Sequence, residues 1–178
     1  MSAVIKAEPN GWRWLPLSVG VIALDQFTKK EIVDHFQLYE RISVLPVLDI
    51  TRLHNTGAAF SMLADESGWQ RWFFALLALG VGGAIIVWLG RLKARSQGLL
   101  ACALSLILAG ALGNVIDRLR LGHVIDFIHA HWGDAYFPAF NVADSSITVG
   151  AALLLLDAFL ESRRAKANSK AGNSEAAP

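Results

Sequence analysis

The sequence predicts an all-α integral membrane protein: four transmembrane helices carrying a small β-rich extracytoplasmic platform. Three observations predict it. Hydrophobic residues make up 54% of the 178 residues and charged residues only 17%, where a soluble domain carries roughly 25% charged residues. The apolar residues are gathered into four blocks, two of them free of charge for 19 residues each (Trp72 to Gly90 and Gly98 to Ile116). A helix of about 20 apolar residues crosses the ~30 Å hydrocarbon core. Between the first two blocks lies a run of β-favouring residues instead of a simple loop.

The first block, Trp14 to Leu24, extends through Asp25-Gln26-Phe27. Lys6 and Arg13 precede it as they would a signal peptide. No small-x-small cleavage site follows Leu24, so it reads as a retained helix. The outer segment then holds Ile42 to Leu48 and Ile50 to Leu53, β-favouring runs interrupted by Pro46, with a turn signal at Asn55-Thr56-Gly57. This predicts a partly β platform over about 36–66, lying on the outer membrane surface. The second and third helices are the two uncharged blocks. The fourth is Ser145 to Leu156, extended back through Phe140 to Ala143 with Asp144 and forward to Leu160. A buried helix in a soluble protein is the alternative for any one block; four blocks in so short a chain argue against it. The division is a cytoplasmic N-terminal tail at 1–12, a four-helix domain at 13–160 and a cytoplasmic tail at 161–178. That last tail is rich in Ala, Lys, Asn, Ser and Glu and is predicted to be disordered.

Lys and Arg density orients the chain. Residues 1–13, 91–97 and 157–178 hold nine in 42 positions, and 25–71 with 117–144 hold seven in 75. The denser side is assigned to the cytoplasm, with both termini. A net charge of +1 offers no field for nucleic acid. The single cysteine, Cys102, excludes an intramolecular disulfide and a multi-thiolate zinc site; in its apolar run it reads as a small hydrophobe.

An ionisable group at membrane depth costs roughly 2.5–3.5 kcal/mol on insertion scales and is a functional candidate by default. Asp25, Asp117, Arg118, Asp126, Asp144 and Asp157 qualify. Asp157 falls near the cytoplasmic end of the last helix, where it is interfacial or pairs with Arg163 or Arg164. Asp25 and Lys29, spaced i, i+4, form a helical ion pair or tie the helix end to the platform. Asp126 lies among apolar residues just after the third helix, and Asp144 at the outer start of the fourth. If those helices are antiparallel neighbours, the two carboxylates share one depth. Two such groups in low dielectric cannot easily both ionise and titrate as a coupled pair. The ionised one can take a proton from water while the protonated one polarises a carbonyl, which is amide hydrolysis without a metal. Separate roles, such as a helix cap at Asp144, remain open at this level. Asn114 and Arg118 share a helix face at i, i+4; with Asn141 and Asn55 they can hold a substrate backbone or serve as ordinary loop hydrogen-bonders.

Other chemistries fit less well. His123, His129 and His131 surround Asp126, but no His-Glu-x-x-His occurs. Ser145 and Ser146 lack a Gly-x-Ser-x-Gly context. A transporter or membrane binding protein using intramembrane acids is the main alternative, although it would usually place them near the midplane on a broken helix.

Five motifs in order carry a resemblance: Asp25-Gln26-x-x-Lys29, Asn55-Thr56-Gly57-Ala58-Ala59-Phe60, Gly110-Ala111-x-Gly113-Asn114-x-x-Asp117-Arg118, Gly122-His123-Val124-x-Asp126-Phe127 and Phe140-Asn141-x-Ala143-Asp144. Together, over about residues 14–160, they resemble bacterial lipoprotein signal peptidase (signal peptidase II). The resemblance implies an aspartic endopeptidase of the bacterial inner (cytoplasmic) membrane that cuts diacylglyceryl-modified prolipoproteins on the amino side of the lipidated cysteine. It implies Asp126 and Asp144 as the catalytic pair and Asn55, Asn114, Arg118 and Asn141 as substrate-binding groups. Asp25 and Lys29 become a supporting pair. No metal or cofactor is implied. The implied partners are lipid-modified prolipoproteins, membrane lipids and the cyclic peptide inhibitor globomycin, with the protein a monomer. The platform, with Asn55 and Phe60, is expected to close over the peptide and exclude bulk water.

Overall fold

A computed structural model describes residues 8–57 and 69–175. A 3-10 turn at Gly11–Trp14 leads into α1 (Leu15–His35), which carries Pro16 in its first turn, a position suited to proline. The hairpin β1 (Arg41–Leu45) and β2 (Leu48–Asn55) follows, then α2 (Trp69–Arg91) and α3 (Gly98–Leu121). Gly122 ends α3 in the left-handed conformation (φ 85°), returning its N–H to the Arg118 carbonyl. The chain continues as β3 (Val124–Trp132), β4 (Ala135–Tyr136) and α4 (Val142–Glu175).

Three of these helices are long and apolar enough to cross a membrane: Trp69–Arg91, Gly98–Leu121 and, within α4, Val142–Asn168. Among the described residues α1 is outside that set, because Asp25, Lys29, Lys30, Glu31 and Asp34 crowd its second half. The outward faces are what a lipid contact needs: Leu76 is 68% exposed and Leu155 70%, and patches of that kind in water would be an aggregation liability. α3 is the central helix, packed on α1, α2 and α4. Its cytoplasm-assigned half closes a core of Ile85, Leu89, Leu92, Ala101, Leu104 and Leu108. At the other end Ile125 and Phe127 of β3 pack on Ile32 of α1, seating the sheet on the helix bundle.

The platform differs from its predicted bounds. It is a four-stranded antiparallel sheet in the order β1-β2-β3-β4, so half of it comes from after α3. β3 pairs with β2, with Val124 opposite Asn55 and Asp126 opposite Leu53. Asp126 is therefore a strand residue. Phe60 and the remainder of the 36–66 segment beyond Gly57 lie outside the described residues. Two further boundaries shift. Residues 8–12, expected as tail, strap onto the α2–α3 turn: Gly11 N–H donates to the Leu92 carbonyl, Ala94 N–H to that of Pro9, and Glu8 accepts from the Ser96 backbone. α4 runs on as helix to Glu175 instead of ending at 160 before a disordered tail. The reason is composition: Ala, Arg, Lys and Glu are strong helix formers, and a helix already nucleated continues through them.

α3 and α4 touch backbone to backbone because of glycine. A Cβ on Gly110 would lie 2.2 Å from the Ala143 carbonyl oxygen and 2.6 Å from Ile147 Cγ1. Gly110→Ala is therefore expected to push the start of α4 off α3 and lower stability by about 1–3 kcal/mol. Gly80→Ala, which meets nothing within 4 Å, should be neutral or slightly stabilising, as alanine replaces glycine in a helix. Thermal unfolding in detergent checks both, and equal midpoints would refute the close crossing.

Candidate active site

The site rests on a buried ion cluster. Asp25 and Lys29 lie one turn apart on the inner face of α1. Lys29 Nζ meets Asp25 Oδ2 at 2.9 Å, Asp117 Oδ2 at 2.8 Å and Asn114 Oδ1 at 3.0 Å. An ammonium has three donors, and all three are used. Asp25, Lys29 and Asp117 are all buried. The other Asp25 oxygen accepts the Ala143 N–H (2.9 Å) at the start of α4, where the helix dipole favours a carboxylate. Asp117 accepts the Ile125 N–H (3.2 Å) at the start of β3, and Gln26 donates to its other oxygen at 2.8 Å. The pair, read as a helical ion pair or as a tie between the helix end and the platform, is an i, i+4 ion pair that also fastens α1 to α3, β3 and α4 together. Asp117, singled out from the sequence as a costly acid and as a member of the third motif but given no role, is the second counter-charge. Gln26, part of the Asp25-Gln26-x-x-Lys29 motif but given no role of its own, is a further contributor.

Asp144 is positioned by local sequence chemistry. Asn141 is the N-cap of α4 and Asp144 its third helical residue. The Asn141 side-chain oxygen accepts the Asp144 N–H (2.9 Å), and Asp144 Oδ2 accepts the Asn141 N–H (3.2 Å), a reciprocal capping box. Asp126 comes from β3, across the sheet from Asn55. Asn141 spans the two acids, because its Nδ2 also donates to Asp126 Oδ1 at 2.8 Å.

Three asparagines aim N–H groups at these carboxylates, and in each the amide is locked by a donor on its oxygen. Asn141 Oδ1 is held by the Asp144 N–H. Asn114 Oδ1 is held by Lys29, leaving Nδ2 on Asp144 Oδ1 at 2.8 Å. Asn55 Oδ1 is held by the Gly57 N–H (3.1 Å), leaving Nδ2 on Asp126 Oδ2 at 2.9 Å. All four carboxylate oxygens accept one N–H each. Burial, and then the Asp144 carboxylate, push Asp126 up to about 7, against the smaller opposing pull of Asn55 and Asn141.

Both acids line one open cavity of about 870 Å³, together with Asn55, Asn114 and Arg118. Leu53, Phe137, Phe140, Ile147 and Val149 form its apolar wall. Asn141 is fully buried behind the wall and touches the acids without lining the space. Arg118 reaches the Gly57 carbonyl (3.2 Å), and its guanidinium lies 5.3 Å from the Phe74 ring centre, bonding neither acid directly. The histidines do not converge on Asp126. His123 stacks on His54 at 3.7 Å between ring centres, and burial holds both imidazoles below their usual range. His129 and His131 lie against Tyr136 at the far end of β3. Among the described residues no group of three His, Cys, Asp or Glu side chains is placed to hold a metal. Asp157 forms no ion pair among the described residues, and Arg163 instead lies over the Phe159 ring.

The geometry, two coupled carboxylates on a cavity that is apolar on one side and amide-lined on the other, suits proton transfer to and from an amide. Comparisons agree. The family model described as Signal peptidase (SPase) II matches residues 17–160. The chain is 53% identical over 159 residues to a lipoprotein signal peptidase of Pseudomonas fluorescens, covering 88% of this chain and 92% of that one. It is 53% identical over 156 residues to that of Pseudomonas aeruginosa, covering 86% and 92%. A bacterial membrane enzyme solved by the in meso method at 2.3 Å resolution superposes with a TM-score of 0.75 at 34% identity, covering 87% of this chain and 93% of that one. This membrane protein belongs to the signal peptidase II family.

Proposed function

We propose that the chain is a membrane aspartic endopeptidase that removes the signal peptide from diacylglyceryl-modified prolipoproteins, cutting on the amino side of the lipidated cysteine. The single observation that carries the mechanism is the meeting of Asp126 and Asp144 on one cavity, bridged by Asn141.

The pair holds one proton. Asp126, held towards its protonated form by burial, donates to the scissile carbonyl oxygen, while Asp144 as the ionised partner takes a proton from the attacking water. The tetrahedral intermediate collapses as a proton passes to the leaving nitrogen, and the pair returns to its starting state. Arg118, fixed on the Gly57 carbonyl, and the amides of Asn55 and Asn114, which line the cavity, hold the peptide backbone, while Asn141, buried behind the wall, positions the acids instead. The substrate is itself a membrane helix with an acyl anchor, so confinement in the bilayer raises its effective concentration at an interfacial site. Its acyl chains rest against the apolar wall of the cavity and the surrounding lipid.

In this reading α1 is a fourth span: 21 residues make about 31 Å of helix, and its buried charges are neutralised within the protein. Both termini are cytoplasmic, the sheet and active site lie at the periplasmic interface of the bacterial inner membrane, and globomycin competes in the cavity of a monomer. The test is cleavage of a diacylglyceryl-modified peptide by wild type and by the two Asp→Asn variants.

The pH dependence follows from Asp126. Above about 7 the pair loses its remaining proton, so kcat/KM should fall about tenfold per pH unit on the alkaline side. The sign for stability is the same. A carboxylate raised from 3.8 to about 7 by folding binds its proton more tightly when folded, so stability is full below 3.8 and declines as pH rises to about 7. A rate profile flat to well above pH 8 would contradict the shared proton.

A further inference from the structure

We propose that Lys29 is a positioning residue for the reaction: its ammonium locks the Asn114 amide so that the N–H, not the carbonyl, faces Asp144, keeping Asp144 available as the ionised base. The inference rests on the aspartic-peptidase reading and adds a role to a residue that touches neither acid.

The chain of contacts is short. Lys29 Nζ donates to Asn114 Oδ1 at 3.0 Å, and Asn114 Nδ2 donates to Asp144 Oδ1 at 2.8 Å. Asn114 Oδ1 also accepts from Asn141 Nδ2 at 3.3 Å, a longer contact from an amide already committed to Asp126 and to the Ile125 carbonyl. Lys29 is therefore the principal donor that decides which way the Asn114 amide turns. With the lock removed, the amide can rotate by half a turn and present its carbonyl to Asp144. A carbonyl facing a carboxylate is repulsive, whereas a carbonyl facing a protonated carboxyl is a hydrogen bond. The flipped amide thus favours the acid form of Asp144 and removes the base.

A structural role alone explains the cluster poorly. Replacing a buried ion pair by apolar residues of similar volume is often neutral or stabilising, and in a membrane interior the desolvation of three charges is an added cost. Asp25 and Asp117 hold the ammonium on two sides, which leaves its third donor for Asn114. Among the described residues the charged and polar groups around Asp144 are Lys29 and Asp25 from α1, Asn114, Asp117 and Arg118 from α3, Asp126 from β3, Asn55 from β2, and Asn141 and Thr148 beside it; of these Lys29 alone both carries positive charge and bonds the side-chain amide of a direct partner of Asp144, Arg118 reaching only the Asn114 backbone carbonyl at 3.5 Å.

The test uses the full-length protein in detergent or lipid with the lipidated peptide. Lys29→Met alone would strand two carboxylates, so the informative variant is the charge-balanced pair Lys29→Met/Asp117→Asn, read against Asp117→Asn. The pair is expected to lose about tenfold or more in kcat relative to Asp117→Asn with KM unchanged, and the acid limb of its pH–rate profile should move up by about one unit or more. Lys29→Gln/Asp117→Asn, which keeps a neutral N–H donor, should recover part of the rate, and it serves as the test if the Met variant does not fold. In an Asn114→Ala background the same Lys29 change should alter the residual kcat by less than about twofold, as expected when one residue acts through the other. An unmoved acid limb, or additive losses in the Asn114→Ala background, would overturn the proposal. Activity retained by Asp144→Asn would instead remove the underlying reading, so the two failures are distinguishable.

Discussion

Asp126→Asn and Asp144→Asn should each lower cleavage of a diacylglyceryl-modified precursor by about 10³-fold or more, while each protein still inserts and folds. General acid and base catalysis typically contribute 10²–10⁴, and groups acting as one unit lose nearly everything when either is removed. Asparagine keeps the shape and one acceptor oxygen, so Asn55 can still bond position 126 and Asn114 position 144. It cannot take a proton from water or deliver one to a carbonyl. Folding should survive for a specific reason: Asp126 is driven towards its neutral form by burial, so a neutral side chain there removes a desolvation cost at neutral pH. The variants therefore separate catalysis from stability. Quantifying released signal peptide, alongside membrane extraction and the unfolding midpoint, reads both. Turnover within tenfold of wild type in either variant would remove the dyad.

Much of the fold was legible because the bilayer imposes a simple code. Blocks free of charge for 19 residues lie within α2 and α3, which run on beyond them into charged residues, α2 at both ends and α3 at its end, and Asp144 fell at the start of α4 as expected. The sheet was only half legible. β1 and β2 carry local strand signals, but β3 reads Val124-Ile125-Asp126-Phe127-Ile128 with histidines beyond, and an acid among apolar residues does not mark a strand. Its partner is some 70 residues earlier in the chain, and nothing in a local window reports so distant a pairing. The cavity residues were legible as types, since polar groups at membrane depth are few. Their connectivity was not. That Lys29 faces Asp117 and Asn114 as well as Asp25 depends on α1 lying against α3. The close approach of α3 to α4 is written in Gly110 and Gly113, yet glycines in a membrane helix could equally have faced another copy of the chain.

Asn141→Ala is expected to be the most damaging change outside the two acids, and it should act on stability and catalysis together. Asn141 is fully buried, and four of its contacts fix the two acids and the start of β3. Its oxygen caps the Asp144 N–H, its backbone N–H holds Asp144 Oδ2, its Nδ2 holds Asp126 Oδ1, and the same nitrogen satisfies the Ile125 carbonyl at the start of β3. Alanine keeps only the backbone contact. Loss of an N-cap costs typically ~1 kcal/mol, and the stranded Ile125 carbonyl adds about 1–3 kcal/mol where water cannot replace the donor. The first turn of α4 then frays. Asp144 is set by that turn, so the separation of the two acids, which among the described residues Asn141 alone bridges directly, is no longer defined. A misplacement of about 1 Å can cost 10²-fold in rate, and a loss of that order is expected in kcat. Asn141→Ser restores the cap oxygen but is too short to donate to Asp126. It should recover most of the unfolding midpoint and little of the rate. If serine rescued both equally, the bridge between the carboxylates would have no part in turnover, and Asn141 would be a helix cap and nothing more.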